Sequence, residues 1–494
     1  MKLRVRDVDI SSGGPLIAIL NYHDAAILDL HVMDRIKIKK EKKIETAVVD
    51  IAESKKIVSR GKIGVFGEVA RSLNLKNNDL VEITPARKPL SIDFIKKKLD
   101  GQMLSKKEID QIVWDIVHNK LSQVELAYFV AACYTNVMSI KETILLTKAM
   151  VEHGDVLKLG RYPVIDKHSI GGIPGNRTTM VVVPILAAAG YTMPKTSSRS
   201  ITSPAGTADT MEVLANVAFP IKKMKEIVLK TNACIVWGGA LNLAPADDKI
   251  IAVERPLEID AESQLLASIM AKKQSVSSTH ILIDIPSGMD AKVKSKSAAL
   301  KLKKEFEEIG KKLKKHVKVI ITDGNQPIGN GIGPALEARD VLWLLKRDPR
   351  RPMDLEKKCL MMCANIFAML GVKNGYKKSL ELLDSGMAYK KMIEIIKAQG
   401  GKEIAAEDIP IGKYSFDVIS KKSGRLKDID NLAISRIARI AGAPHDKGAG
   451  IYLYKHNGDK IKRGEKLFTI FSESRHEFKF AVEFAKKNDG FLVK

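Results

Sequence analysis

The chain has 494 residues, of which 45% are hydrophobic and 28% charged, and its formal net charge is +24. This length predicts two to four domains, each able to bury an apolar core. No apolar run approaches the roughly 18 residues that a membrane span needs. The start, MKLRVRDVDISS, lacks the apolar stretch of a signal peptide. We therefore expect a cytoplasmic globular protein with no membrane partner.

The basic charge is dispersed along the chain. Lysines alternate with glutamates in segments such as KLKKEFEEIGKKLKKH, which is typical of a solvated helix face. Aromatic residues are only 5% of the chain, so few side chains could stack on bases. We expect no nucleic-acid partner, and a positive field of this kind would instead steer a small anionic substrate.

The cysteines predict neither a disulfide framework nor a metal site. The chain has four of them, and they are too scattered for either: Cys133, Cys234, Cys359 and Cys363.

Residues 1–85 alternate apolar and polar positions in short runs such as KLRVRDVDI and DRIKIKK, broken by SSGG, NYHD and SRGK. This alternation predicts a small β-rich domain, which ends near TPARKP. The period then becomes helical up to about Gly154. Three serine–glutamate pairs there have capping-box spacing and predict helix starts: Ser105 with Glu108, Ser122 with Glu125, and Ser139 with Glu142.

From Tyr162 onward, short β-like apolar runs alternate with helical segments. The runs are MVVVPILAAAGY, ACIVWGG, HILIDIPSG and VKVIITDG, each ending near Gly, Asp or Pro. This order predicts an α/β domain. After about Gly424, the turn-rich HNGDKIKRGE lies between strand-like runs and predicts a smaller β-containing domain at the end.

Two neighbouring loops concentrate small, hydroxylated and basic residues. They read KHSIGGIPGNR over residues 167–177 and SSRSITSPAGTAD over residues 197–209. Glycines permit positive φ, so backbone N–H groups can converge on an anion, and Thr207 can begin a helix. The pattern predicts phosphate binding, although neither the P-loop nor the dinucleotide glycine spacing is present.

These loops, with ERPLEIDAESQLLASIMAKK over residues 254–273, resemble the thymidine and pyrimidine-nucleoside phosphorylase family from about residue 88 to the C-terminus. Within that family the IPGNR and ITSPAGTAD forms and the extra N-terminal domain are most similar to the archaeal AMP phosphorylases. NQPIGNGIGPALEARD and RIARIAGAPHDKGAGI fit the same resemblance.

The resemblance implies a multidomain α/β fold. Its parts are a β-rich N-terminal oligomerisation domain, a helical domain in two segments, an α/β phosphate-binding domain and a C-terminal α+β domain. Their bounds are residues 1–85, then 86–155 with 243–275, then 156–242 with 276–424, and finally 425–494.

The implied reaction is phosphorolysis of nucleoside 5′-monophosphates, in which AMP and phosphate give adenine and ribose 1,5-bisphosphate. CMP and UMP are further implied substrates. Inorganic phosphate is the co-substrate, and no other cofactor is expected. The resemblance also implies a homodimer that assembles into larger homo-oligomers.

Asp260 corresponds to the expected proton donor. Breaking the glycosidic bond sends electrons to the base, which therefore needs a proton. To donate at neutral pH the Asp260 carboxyl must have a raised pKa, through desolvation or a neighbouring carboxylate such as Glu258 or Glu262.

The other implied site residues fall into two groups. Lys167 and Ser169 match residues that hold the attacking phosphate. The expected substrate contacts are Gly172, Ser198, Arg199, Ser200, Ile201, Thr202, Ser203, Thr207, Ser268 and Lys292.

Four further residues have open roles. Arg255 and Lys272 match base-contacting positions of the pyrimidine enzymes, and His168 is either an orienting residue or a direct participant. The family's GGVGD is GGIPGN here, so Asn176 followed by Arg177 replaces an acidic group, which suits a more anionic substrate.

Three alternatives remain open at this point. The first is a nucleoside phosphorylase acting on unphosphorylated substrates. The second is a phosphoribosyltransferase of the anthranilate type, although the loops lack a convincing acidic pair for magnesium. The third is a basic RNA-binding protein with a degenerate enzyme core, which would bind RNA in a steeply salt-dependent way.

Overall fold

A computed structural model describes residues 1–200, 203–257, 259 and 261–494. The chain divides into two units, each described by itself below. The first unit comprises Met1–Gly154 and Ala244–Ala271, and the second comprises Asp155–Leu243 and Lys272–Lys494. No helix in these described ranges is long and apolar enough to span a membrane.

The first unit begins with a closed barrel of six strands, which accounts for the alternating pattern at the start of the chain. Ile36 and Ile38 are completely buried, whereas Lys37 between them is exposed. Closure leaves the barrel without an unpaired strand edge. The barrel elements are β1 Lys2–Asp7, β2 Ile17–Asn21, α1 Tyr22–Ile27, β3 Arg35–Lys40, β4 Lys43–Ala52, β5 Lys62–Val65, α2 Gly67–Leu73 and β6 Leu80–Ala86, in the order β1-β5-β2-β4-β3-β6.

Four helices follow the barrel, and the three predicted capping boxes are confirmed. In each box the serine side chain accepts from the backbone N–H three residues on, and the glutamate accepts from the serine N–H. The four helices are α3 Ser91–Leu99, α4 Lys106–Val117, α5 Gln123–Thr135 and α6 Ile140–Glu152.

The second unit then begins with strands that lead into the two loops. Its first elements are β7 Ile165–Ser169, α7 Thr178–Ala188, β8 Met193–Ser197, α8 Thr207–Met211, α9 Ile221–Thr231 and β9 Ala233–Trp237. The chain next forms α10 Pro245–Leu257 and α11 Glu262–Ser275. Ala246 and Ile250 of α10 join the apolar core of α3–α6.

The next part of the second unit is α/β. Its elements are β10 His280–Ser287, α12 Lys296–Lys312, β11 His316–Asp323, β12 Gly331–Ile332, α13 Pro334–Leu345, α14 Met353–Met369, α15 Gly375–Asp384 and α16 Met387–Ala398. Strand β10 lies between β11 and β7 in a parallel sheet of the order β11-β10-β7. The register of β10 with β7 sets Asp284 beside Ser169.

Two antiparallel sheets and two helices complete the chain. The elements are β13 Tyr414–Ile419, β14 Gly424–Ile429, α17 Asn431–Ile440, β15 Gly450–Leu453, β16 Lys460–Ile461, β17 Lys466–Ser472, α18 Arg475–Lys487 and β18 Phe491–Val493. The sheets have the orders β12-β15-β17-β13 and β16-β14-β18.

One predicted β-like run is wrong. MVVVPILAAAGY forms most of helix α7, whose residues from Thr178 to Ala187 are all buried. A helix that is apolar on every side has no amphipathic period, so its sequence looks like that of a buried strand. The other three runs are strands: ACIVW is β9, HILIDIPS is β10, and VKVIITD lies in β11.

Candidate active site

The first loop leaves β7 and turns on two glycines at which a side chain would clash with neighbouring backbone. Gly172 has φ +92°, and a Cβ there would lie 2.9 Å from the Lys292 backbone nitrogen. Gly175 has φ +72°, and its Cβ would lie 2.2 Å from the Ile328 carbonyl oxygen. The loop is therefore packed tightly against the segment after β10, which brings the predicted residues Gly172 and Lys292 together.

Lys167 is a buried cation at the start of this loop, with 1% of its surface exposed. Its Nζ donates to the hydroxyl of Thr178, 2.6 Å away. Burial lowers the pKa of Lys167 to about 8, against the opposing attraction of Asp284. A buried ammonium whose hydrogen-bond partner is neutral is well suited to bind an anion.

A directed series of hydrogen bonds runs from Lys167 to the neighbouring strand. Thr178 Oγ1 donates to Asn176 Oδ1 at 3.2 Å, and Asn176 Nδ2 donates to Ser169 Oγ at 3.2 Å. Ser169 Oγ in turn donates to Asp284 Oδ2 at 2.9 Å. The series polarises the Ser169 hydroxyl, and Asn176 is the member that joins the two halves of the loop.

His168 lies between Lys167 and Ser169 among several cations. Burial, reinforced by the neighbouring cations, holds the pKa of His168 well below its usual range, so its ring is neutral at neutral pH. The cations that contribute are Lys273, Lys195, Lys167 and Lys272. A neutral ring favours an orienting or hydrogen-bonding role over that of a charged acid.

A second group of buried charges surrounds Asp166, the residue before Lys167. Asp166 Oδ2 is 3.0 Å from Lys273 Nζ, and Asp166 Oδ1 is 3.6 Å from Lys195 Nζ. Burial and the nearby Lys273 lower the pKa of Lys195 to about 7. Two lysines therefore share this one buried carboxylate.

The second loop is held together by its own side chains. Arg199 donates to Glu212 at 2.7 and 2.5 Å and to Asp209 at 3.1 Å, and its guanidinium lies 4.8 Å from the centre of the Trp237 ring. Asp209 also accepts from the backbone of Ser200 at 2.7 Å. Arg199 therefore shapes the loop, and its predicted contact with substrate stays a prediction.

The serines of the second loop differ in their availability. Ser198 is exposed. The Ser200 hydroxyl donates to the carbonyl of Ser203, and the Ser203 hydroxyl donates to the Ala205 carbonyl at 2.9 Å. Both hydroxyls would have to rotate to donate to a ligand. The predicted residues Ile201 and Thr202 lie outside the described residues.

Arg177 connects the two loops. It is 6% exposed, and it donates to Thr207 Oγ1 at 3.1 Å and to the Ala205 carbonyl at 3.0 Å. Its Nε lies 2.6 Å from Glu337 Oε2. Arg177 thus pairs with Glu337 and positions Thr207, and its expected role toward a more anionic substrate stays a prediction.

The remaining predicted residues are placed as follows. Asp260, the expected proton donor, and Glu258 lie outside the described residues. Ser268 is half-buried on α11 in the first unit, and Arg255 is exposed on α10. Lys272 is half-buried and Lys292 exposed, both in the second unit.

Sequence reasoning missed Asp284 and Lys358. Lys358 Nζ lies 3.3 Å from Asp284 Oδ2, the oxygen that accepts from Ser169. Asp284 lies in an apolar β-run and Lys358 in a charged helical segment, so neither carries a local signal. Within the described ranges, no group of three or more His, Cys, Asp or Glu side chains is placed to hold a metal ion.

Three family models match this chain. The glycosyl transferase family helical bundle domain matches residues 92–154, and the a/b domain of that family matches residues 161–389. The pyrimidine nucleoside phosphorylase C-terminal domain matches residues 425–490. The fold is similar to that of anthranilate phosphoribosyltransferase from Thermus thermophilus, with a TM-score of 0.52 at 18% identity, over 63% of this chain and 100% of that one. The class of protein defined by these domains is a pentose-transferring glycosyl transferase.

Relatives narrow that class. AMP phosphorylase from Thermococcus kodakarensis is 46% identical over 99% of this chain and 97% of its own length. AMP phosphorylase 1 from Archaeoglobus fulgidus is 44% identical over 97% of this chain and 95% of its own. A putative thymidine phosphorylase from Rhodopseudomonas palustris is 43% identical over 99% and 96%. The chain belongs to the family of AMP and thymidine phosphorylases.

Proposed function

We propose that this protein catalyses the phosphorolysis of AMP to adenine and ribose 1,5-bisphosphate, and that CMP and UMP are further substrates. The observation that carries the proposal is identity above 40% with AMP phosphorylases over nearly the whole chain, N-terminal barrel included. The polarised first loop supports it, since the buried ammonium of Lys167 and the half-buried hydroxyl of Ser169 suit a phosphate nucleophile.

In the proposed reaction, a phosphate oxygen forms a bond to C1′ of the ribose while the C1′–N bond breaks. The electron pair of the broken bond leaves with the base, and Asp260 gives the base a proton. The transition state carries positive character on the sugar, which the phosphate dianion stabilises. Inorganic phosphate is needed because it is the nucleophile. No oxidation or reduction takes place in these steps, so they need no redox cofactor.

A nucleoside monophosphate requires the site to hold two anions, one as nucleophile and one as a handle. We propose Lys167 and Ser169 for the nucleophile, and the second loop with Thr207 and Lys292 for the 5′-phosphate. Thr207 suits this role because Arg177 donates to its hydroxyl oxygen and so fixes the position of that oxygen. The further proposed substrate contacts are Gly172, Ser198, Arg199, Ser200, Ile201, Thr202, Ser203 and Ser268.

The second candidate function is nucleoside phosphorolysis, which the likeness to a putative thymidine phosphorylase favours. The two functions differ in their dependence on the 5′-phosphate. Charge-assisted hydrogen bonds contribute roughly 1.5–3 kcal/mol each, so two or three of them favour AMP over adenosine by at least about a thousandfold in kcat/KM.

The test is chromatographic detection of free base from AMP, CMP, UMP and their nucleosides, with and without phosphate. We expect base release that depends on phosphate and on the 5′-phosphate of the substrate. Asp260→Asn is the control, because it should bind AMP yet lower kcat by about a hundredfold or more. Comparable kcat/KM for adenosine and AMP would establish the nucleoside reaction instead.

A further inference from the structure

Lys358 is a buried lysine beside the first loop. It lies on α14, next to Cys359, whose Sγ is 3.8 Å from the carbonyl oxygen of Thr178. The Lys358 side chain is 9% exposed, and its Nζ is 3.3 Å from Asp284 Oδ2. Among the described residues, this buried Nζ completes no hydrogen bond. A lysine ammonium has three N–H donors, so this one has donors to spare.

Asp284 is shared among several donors. Its Oδ2 accepts from Ser169 at 2.9 Å and lies near Lys358, while its Oδ1 accepts from Thr322 at 2.6 Å. The carboxylate is completely buried. It thus carries the one negative charge that faces Lys358 in these contacts, and two neutral hydroxyls compete for it.

The charges around the first loop therefore do not balance. Lys167 donates to a neutral hydroxyl, and Lys358 shares its carboxylate partner with Ser169. The two ammonium groups lie close enough for the charge of Lys358 to depress the pKa of Lys167. Burying two cations against one carboxylate is unfavourable unless an anion joins them.

We propose that Lys358 is a second lysine ligand of the attacking phosphate, opposite Lys167. The inference rests on the proposed function and deepens it, since it concerns the same phosphate. Ser169 has a single hydroxyl proton for which Asp284 competes, so the phosphate oxygens need a donor in addition to that hydroxyl. The Lys358 ammonium has such donors, and a phosphate dianion between Lys167 and Lys358 would restore the charge balance.

The test measures binding of inorganic phosphate alone by titration calorimetry. Lys358→Met should raise the phosphate Kd by at least about tenfold, the scale of one charge-assisted hydrogen bond. Lys358→Arg should recover part of the affinity. Lys357→Met is the matched control. Lys357 is the exposed neighbour of Lys358 on the same helix, so its replacement should leave the phosphate Kd unchanged.

A purely structural role through Asp284 is separated by a double-mutant cycle. In Asp284→Asn, Lys358 no longer has a carboxylate to neutralise. We expect Lys358→Met in that background to weaken phosphate binding by about tenfold again, with the KM for AMP changed less. If Lys358→Met has no effect on the phosphate Kd in that background, or in the otherwise unchanged protein, Lys358 is not a ligand.

The calorimetry does not depend on turnover. Phosphate binding that is lost in Lys358→Met, in a protein that releases no base from AMP, would overturn the proposed function yet still show that Lys358 binds phosphate. Base release from AMP, with a phosphate Kd that does not change in Lys358→Met, would support the proposed function and overturn this inference. A wild-type protein that binds no phosphate would overturn the inference.

Discussion

Lys167 shows how burial adjusts a single residue for anion binding. Its buried ammonium donates to one hydroxyl, and Asp284, Lys358, Cys359 and Arg177 all act on it electrostatically. Burial dominates and lowers its pKa to about 8. Lys167 can therefore lose its charge at a pH near 8, at which an exposed lysine stays charged.

The first prediction concerns the pH dependence of phosphate use. Below pH 8 Lys167 is charged and attracts phosphate, and as the pH rises through about 8 the charge is lost. The phosphate KM should therefore rise severalfold between about pH 7 and about pH 9.5, while the KM for AMP changes less.

Lys167→Arg is the matched control, because a guanidinium stays charged throughout this range. Its phosphate KM should be higher at neutral pH but nearly level with rising pH. A wild-type phosphate KM that is also level would exclude Lys167 from phosphate binding.

At the scale of elements, one buried ion pair joins three parts of the second unit. Arg177 at the start of α7 pairs with Glu337 on α13 and donates to Thr207 at the start of α8. Glu337 is 1% exposed, and burial raises its pKa in spite of Arg177. Glu337 also accepts from Thr210 Oγ1 at 2.8 Å. The shape of both loops therefore depends on a contact between segments distant in sequence.

The second prediction tests this pair. Arg177→Met leaves Glu337 buried without its cation, which should cost about 3–5 kcal/mol of stability and lower the Tm. Thermal unfolding followed by circular dichroism measures the effect. Arg177→Met with Glu337→Gln should recover part of the lost stability, since no charge is then left unpaired. An unchanged Tm in Arg177→Met would show that the pair contributes little.

At the scale of the whole molecule, the N-terminal barrel has its own apolar core. Within the first unit, it contacts the helical part through charged groups. Arg35 donates to the carboxylate of Glu125 and to the Lys120 carbonyl at 3.2 Å, while Lys120 lies 2.9 Å from Glu45. The barrel also exposes apolar side chains that could contact another copy: Tyr22, Ile27, Val32 and Met33.

The third prediction concerns assembly. We propose that the protein forms homodimers that join into larger oligomers through the barrel, which supplies none of the proposed reacting groups. Deleting residues 1–85 should reduce the particle mass measured by light scattering far more than it lowers kcat. Circular dichroism checks that the helices persist. A truncated protein that forms the same assembly, subunit for subunit, would refute the role of the barrel.

Local sequence signals determined the helix starts, the strand alternation and the position of the two loops in this protein. The serine–glutamate boxes act over three residues, so Ser105, Ser122 and Ser139 could be identified as helix caps without any tertiary information. Alternation in β1 and β3 likewise reports a sheet with one buried face. The two loops and their resemblance to a phosphorylase family pointed to the chemistry, because glycine amides, hydroxyls and a cation that lie close together in sequence can surround a phosphate.

Only the tertiary structure decided which charges meet. Ser169 reaches Asp284 across 115 positions of sequence, and Lys358 arrives from a helix whose lysines resemble a solvated face. Arg177 pairs with Glu337, a partner 160 positions away that its own sequence position did not indicate. Helix α7 resembled a strand because complete burial erases the period that distinguishes the two. Periodicity and capping act between near neighbours in the chain, whereas electrostatic pairing and burial depend on distance in space, which the fold alone sets.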